Sequence, residues 1–384
     1  SLRNIVTGLG GNANGIPQEA GFDITPASEI MALLCLSESI EDLQARIERI
    51  VLGYTYEKKP FTVKDLGVAE AITVLLRDAI MPNLVQTTEQ TPAFIHGGPF
   101  ANIAHGCNSV LATKMAMSLN DYVVTESGFG SDLGAEKFLD IKCRLSGLRP
   151  KATVIVATTQ ALKLHGGVPD ADIKLPNMDA LKAGLPNLLR HINNMKEFGQ
   201  SVVISCNQYH FDQKEELDYL ENWCAEQGVA FALNNGFTKG GEGAAPVARK
   251  VVEVIENNAS KDINVGYELS EPIRTKIEKI AKRVYKAGTV TFDGAAMTKM
   301  KSFEKHGWAN LPVCIAKTQY SFSDDPKKIN APEGFNINIR DLVINAGAGF
   351  IVAVAGEIMR MPGLPEDPQA NRIKLINGEI EGLS

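Results

Sequence analysis

Short apolar runs alternate along this chain with longer stretches whose apolar residues recur at helical spacing. The runs at 122–126, 153–158, 202–206, 229–233 and 312–316 are rich in Val, Ile or Ala, and each gives way to glycine, polar or charged residues. Continuous runs of this kind predict strands buried on both faces of a parallel sheet. Between them, 132–145, 178–195, 212–227 and 245–256 carry apolar positions near a 3.6-residue period and predict amphipathic helices. Asp212 with Glu215 three residues on predicts a capping box, and Thr25-Pro26 predicts a helix start with proline at its first position. Beyond residue 271 the pattern changes. A charged amphipathic helix is predicted over 271–287, an imperfectly alternating strand over 336–345 and an apolar strand over 350–355. The alternation predicts an α/β fold, a mostly parallel sheet flanked by helices, multi-domain, with a smaller mixed α/β C-terminal domain. We place the boundaries at 1–185, 186–275 and 276–384. The segment 361–365 and the polar tail behind it predict irregular surface structure.

Composition narrows the class. A chain of 384 residues, 44% apolar and 22% charged, suits two or three globular domains. A net charge of −6 argues against a nucleic-acid partner, whose phosphates need a basic face. No apolar run reaches bilayer length and no secretory leader is evident, so a membrane partner is not expected. The six cysteines contain no Cys-x-x-Cys pair, which favours free thiols and a reducing, cytoplasmic setting.

Several segments could carry chemistry. The stretch 96–109 holds three glycines, two histidines and two asparagines and runs into a helical pattern at Val110. Glycine is costly to order, so His96, Gly97, Gly98 and His105 form a candidate ligand loop, with a glycine turn packed on a strand as the alternative. A glycine loop feeding a helix start points N–H groups at one spot, which suits an anion. The run 122–126 leads through Ser127, Gly128, Phe129 and Gly130 to Gly134 and a helix, a strand–turn–helix phosphate cradle. It lacks the dinucleotide fingerprint, because Leu133 stands where the third glycine belongs. Thr158, Asn207 and Leu233 end three predicted parallel strands, where open sheets bind ligands. Tyr209 and Phe237 follow on two of the same loops. They either clamp a flat heterocycle or cover the core edge. The loop 239–243 suits an anion or a folate-like tail, or is a connector. The polar segment 316–325 is a ligand loop or a domain contact. No Gly-x-x-x-x-Gly-Lys-Ser/Thr loop occurs, and the histidines show no metal-ligand spacing.

Taken together, 96–109, 125–138, Lys163-Leu164-His165-Gly166-Gly167, 239–243, 316–325 and 361–365 resemble formate–tetrahydrofolate ligases, over about residues 2–384. The resemblance implies ATP-dependent ligation of formate to tetrahydrofolate through formyl phosphate, giving 10-formyltetrahydrofolate. It implies Mg²⁺ with ATP, activation by K⁺ or NH4⁺, and a homotetramer. It sets the folate ring between Tyr209 and Phe237. It sets Phe129 beside adenine, Gly128, Gly130 and Gly134 in the loop near the intermediate, and Thr158, Asn207 and Leu233 near the nucleotide. Gln160 stands where many members carry arginine.

The family's phosphate-binding loop with its lysine, and an arginine near the formyl group, would precede Ser1. The expectation is therefore the C-terminal two-thirds of the enzyme, without ligase turnover by itself. The alternative is a non-catalytic folate- or nucleotide-binding module. A dehydrogenase is disfavoured by the missing third glycine.

Overall fold

The computed structural model describes residues 4–358 and 365–382. All of the 361–365 motif except Pro365 lies outside the described residues. The N-terminal third carries three antiparallel hairpins, β1 (Ile5–Thr7) with β2 (Gln18–Ala20), β3 (Val51–Tyr54) with β4 (Pro60–Thr62), and β5 (Asn83–Gln86) with β6 (Pro92–Ile95). Pro26 falls inside a single 3-10 turn, Thr25–Ala27. The helix proper, α1 (Glu29–Leu36), starts one step later, where the Ser28 hydroxyl accepts the Met31 N–H at 3.2 Å.

Two sheets form the body. β7 (Thr153–Ala157), β8 (Val202–Asn207) and β9 (Ala230–Asn234) are parallel, in that spatial order. β10 (Thr289–Phe292), β11 (Val313–Ala316), β12 (Asn336–Asn345) and β13 (Phe350–Ala355) make a mixed sheet of order β10-β12-β13-β11. There β12 and β13 are antiparallel, and β10 and β11 run parallel to their neighbours. A last hairpin joins β14 (Lys374–Ile376) to β15 (Glu379–Glu381).

Within the mixed sheet β11 and β13 are buried on both faces, which is why they are continuous apolar runs, whereas β10 and β12 alternate with exposed polar residues. Val313, Ile315, Ile351 and Ala353 join the large core that also holds Ile204, Phe198, Leu220, Ile277 and Tyr285. The alternate residues Cys314, Ala316, Phe350 and Val352 face a second core made with Leu33, Leu36, Leu43 and Ile47. All six cysteines are free and buried. Among the described residues no helix is long and apolar enough to cross a membrane.

Three expectations change. The run 122–126 is not a strand. It is irregular, Tyr122 and Val124 are exposed, and only Ser127 beyond it makes an isolated bridge, to Cys107. Apolar content cannot make a strand where no neighbouring strand offers a ladder. The helix expected over 132–145 is wound largely as π-helix, Ser131–Ala135 and Phe138–Cys143, and ends after Ser146 at Gly147 with φ 73°. Such widened turns are rare and frequently occur at functional sites. The helix expected over 212–227 begins at Lys214, with Gln213 at its cap and no side-chain capping bond. Asp212 is engaged elsewhere, so the capping box does not form.

Candidate functional site

Parallel pairing brings Thr158, Asn207 and Leu233 to one rim of the β7-β8-β9 sheet. Ala157 aligns with Cys206, Cys206 with Leu233, and Asn207 with Asn234. The Thr158 hydroxyl accepts the Ala161 N–H at 3.0 Å and so caps α2 (Thr159–His165). The loops leaving β8 and β9 are bound to each other. Gln208 N–H donates to Asn234 O at 3.0 Å, and the Asn235 amide donates to Gln208 Oε1 at 2.7 Å. These loops carry the two aromatics. Tyr209 is exposed and stacks on Phe211, with ring centroids 5.4 Å apart and planes 6° from parallel. Phe237 is fully exposed, three residues before a break in the helical segment Gly236–Asn258 at Gly240. The described ring contact of Tyr209 is therefore with Phe211, a residue the sequence did not single out.

The loop 127–134 is built on close backbone approaches. Gly128 N–H donates to Gly106 O at 2.8 Å. A Cβ on Gly134 would lie 1.8 Å from Gly128 O, so only glycine fits. Between them Phe129 holds φ 60°, a conformation uncommon for a non-glycine residue, with its ring half exposed. Backbone strain of this kind costs about 1–3 kcal/mol and persists only where surrounding structure imposes it. Here the anchors are buried. The Ser131 hydroxyl lies 2.6 Å from His191 Nδ1, and burial pushes the His191 pKa down to about 4. Lys317 Nζ donates to Asp132 Oδ2 at 2.7 Å and also to the carbonyls of Thr318 and Ser321. One turn on, Glu136 is fully buried with neither carboxyl oxygen hydrogen-bonded, and Asp140 Oδ2 is likewise unpaired. Burial first, and then the neighbouring Asp140, hold the Glu136 carboxyl well above the usual range.

The two singled-out histidines are interior groups. His96 Nε2 is 2.8 Å from Ala79 O, so that nitrogen carries the proton and donates. Nδ1 then accepts from the Ser109 hydroxyl at 2.6 Å. His105 is completely buried, its ring nitrogens have no partner, and burial pushes its pKa to about 3. Gly97, with φ 67°, would drive a Cβ to 2.1 Å from Cys35 Sγ, which accounts for glycine there by packing alone. Gly98 has open space around it.

The remaining candidate loops also find protein partners. Gly241 N–H, opening the second part of the broken helix, donates to the Glu89 carboxylate at 2.7 Å, from the tip of the β5–β6 hairpin. The 316–325 segment acts as a contact through Lys317. Asp132, Lys317, Glu136, Phe211 and Asp212 were not among the candidate site residues read from sequence. The 185-residue separation of Lys317 from Asp132 leaves no local signal.

Comparison with known proteins adds the following. A family model described as formate–tetrahydrofolate ligase matches residues 1–384. A formate–tetrahydrofolate ligase of Parabacteroides distasonis is 59% identical over 384 residues, covering 100% of this chain and 69% of the relative. The protein of that name from Bacteroides thetaiotaomicron is 61% identical with the same coverage. The one from Limosilactobacillus reuteri is 53% identical, again over 69% of its length.

Proposed function

The chain belongs to the formate–tetrahydrofolate ligase family, and from that premise we propose that it binds tetrahydrofolate on the β7-β8-β9 rim, next to the site of formyl transfer. It is a ligase, and its family's reaction joins formate to tetrahydrofolate with ATP. In our reading, ATP phosphorylates formate, and the N10 amine of tetrahydrofolate attacks the resulting formyl phosphate, releasing phosphate. Free formate is a poor acyl donor, so the anhydride must be formed and then kept from water until the amine arrives.

The observation that carries the reading is the tie between the two aromatic loops. Gln208 and Asn235 hold the loops of Tyr209 and Phe237 together at the sheet end. Two exposed rings on coupled loops suit a flat heterocycle, since such stacking is worth about 0.5–1.5 kcal/mol beyond area burial. The constrained loop 127–134, with Phe129 outward, suits the nucleotide and the intermediate. Thr158, Asn207 and Leu233 line the rim between. Glu89 on Gly241 is a carboxylate at a helix start, the chemistry expected there for a folate tail. Magnesium enters with ATP as substrate. Among the described residues no group of three His, Cys, Asp or Glu is arranged to hold a metal ion. The fourfold assembly is part of the same reading.

The chain aligns with 69% of the length of the Parabacteroides and Bacteroides relatives. These 384 residues contain no Gly-x-x-x-x-Gly-Lys-Ser/Thr loop. A second reading is a module that binds folate or nucleotide without phosphoryl transfer. Calorimetric titration with tetrahydrofolate tests the first proposal. Saturable binding is expected, and no binding overturns it. Formation of 10-formyltetrahydrofolate by the chain would remove the second reading.

A further inference from the structure

Asp212 makes three bonds that together fix the Tyr209 loop. Its Oδ2 accepts the Tyr209 N–H at 2.8 Å, and its own N–H donates to Tyr209 O at 3.1 Å, closing the turn 209–212 on itself. Its Oδ1 accepts the Thr159 hydroxyl at 2.5 Å. Thr159 is fully buried as the first residue of α2, next to Thr158. The carboxylate thus joins the loop after β8 to the helix start after β7. Within the turn, Phe211 lies parallel to Tyr209 and covers one face of its ring. The Lys174 ammonium stands 6.0 Å from the centroid of Phe211. Tyr209 is left as a one-sided platform whose backbone and ring are both set before a ligand arrives. Ordering a mobile side chain on binding weakens affinity, and this arrangement removes that cost.

We propose that Asp212 is a positioning residue for the flat ring of tetrahydrofolate: it orients Tyr209 from behind, with Phe211 as backing, so that the ring docks on the face of Tyr209 opposite Phe211. The inference rests on the function proposed above. It adds that the loop's carboxylate, and not the aromatic ring alone, sets affinity for the substrate ring.

The test is calorimetric titration of the chain with tetrahydrofolate for wild type, Asp212→Ala and Asp212→Asn. Failure of the wild type to bind would refute the proposed function and is read separately. If the wild type binds, Asp212→Ala is expected to weaken affinity about tenfold, equivalent to one decade in Kd. Asp212→Asn keeps a neutral acceptor for the Tyr209 N–H, and its amide can donate to the Thr159 oxygen, so it is expected within about threefold of wild type. Unchanged affinity in Asp212→Ala overturns the inference. So does an Asp212→Asn as weak as Asp212→Ala, because restored geometry would then count for nothing. Should Asp212→Ala fail to fold, Thr159→Val cuts the loop from α2 and leaves the Tyr209 bond. A loss of about threefold supports the proposal, and no loss overturns it.

Discussion

Lys317 and Asp132 form a buried ion pair, Nζ to Oδ2 at 2.7 Å, between the exit of β11 and the first π-turn behind the glycine loop. The lysine is completely buried, and two backbone carbonyls accept its other protons. Removing one partner of such a pair leaves a charge without compensation, at a cost of about 3–5 kcal/mol. Lys317→Met is therefore expected to lose about 3 kcal/mol in urea denaturation. Lys317→Met with Asp132→Leu is expected to lose less than the two single losses added together, as contacting residues do. Additive losses would show that the pair does not act as a unit.

Glu136 yields a prediction in pH. An unfolded glutamate titrates near 4.3. In the fold, burial and Asp140 hold its proton well above that value, against the pull of Lys137, with Asp132 adding a smaller push in the same direction. The folded chain thus binds more protons than the unfolded one between those two values. Its stability from this group is complete below the unfolded value and declines as pH rises through the folded one. A proton on Glu136 also supplies a donor toward the unpaired Asp140 Oδ2, while Asp140 Oδ1 stays bound to Gly266 N–H and Arg144. Glu136→Gln keeps the shape without the titration. Thermal melts from about pH 5.5 to 8.5 are expected to show the variant gaining on the wild type as pH rises. A variant-minus-wild-type difference in melting temperature that stays constant or falls with rising pH contradicts this.

Two glycines of one loop should behave differently. A Cβ on Gly134 meets Gly128 O at 1.8 Å, whereas a Cβ on Gly128 meets nothing nearer than 3.4 Å. Gly134→Ala is expected to lose about 1–3 kcal/mol by overpacking. Gly128→Ala is expected to stay within roughly 1 kcal/mol. Equal losses in chemical denaturation would mean that the backbone contact does not set the loop.

The fold was legible where burial alone writes the pattern. The strands at 202–207 and 313–316, buried on both faces, read directly as apolar runs, and 153–157 and 230–234 did as well, although Val154 and Val156 turn one face of the first to solvent. The same rule misread 122–126, because a strand needs a neighbour and that segment has none. Asp212 was legible as a residue with a local job, but the job was misassigned. Its carboxylate goes to Thr159, 53 residues away, and to Tyr209, rather than to a helix cap. The glycine-rich 96–109 stretch showed the converse. Gly97 is required by Cys35 and Gly106 by Ala101, contacts that composition cannot distinguish from ligand approach. Asp132–Lys317 and Glu136 had no sequence signal, because a buried charge is recognised only by what surrounds it.

The central claim is that the substrate ring lies between Tyr209 and Phe237, and crystals of the protein soaked with tetrahydrofolate test it most directly. The expected result is ring density on the Tyr209 face away from Phe211, with Phe237 closing from the other side. A ring bound elsewhere on the molecule, with Tyr209 and Phe237 uncovered, would contradict it.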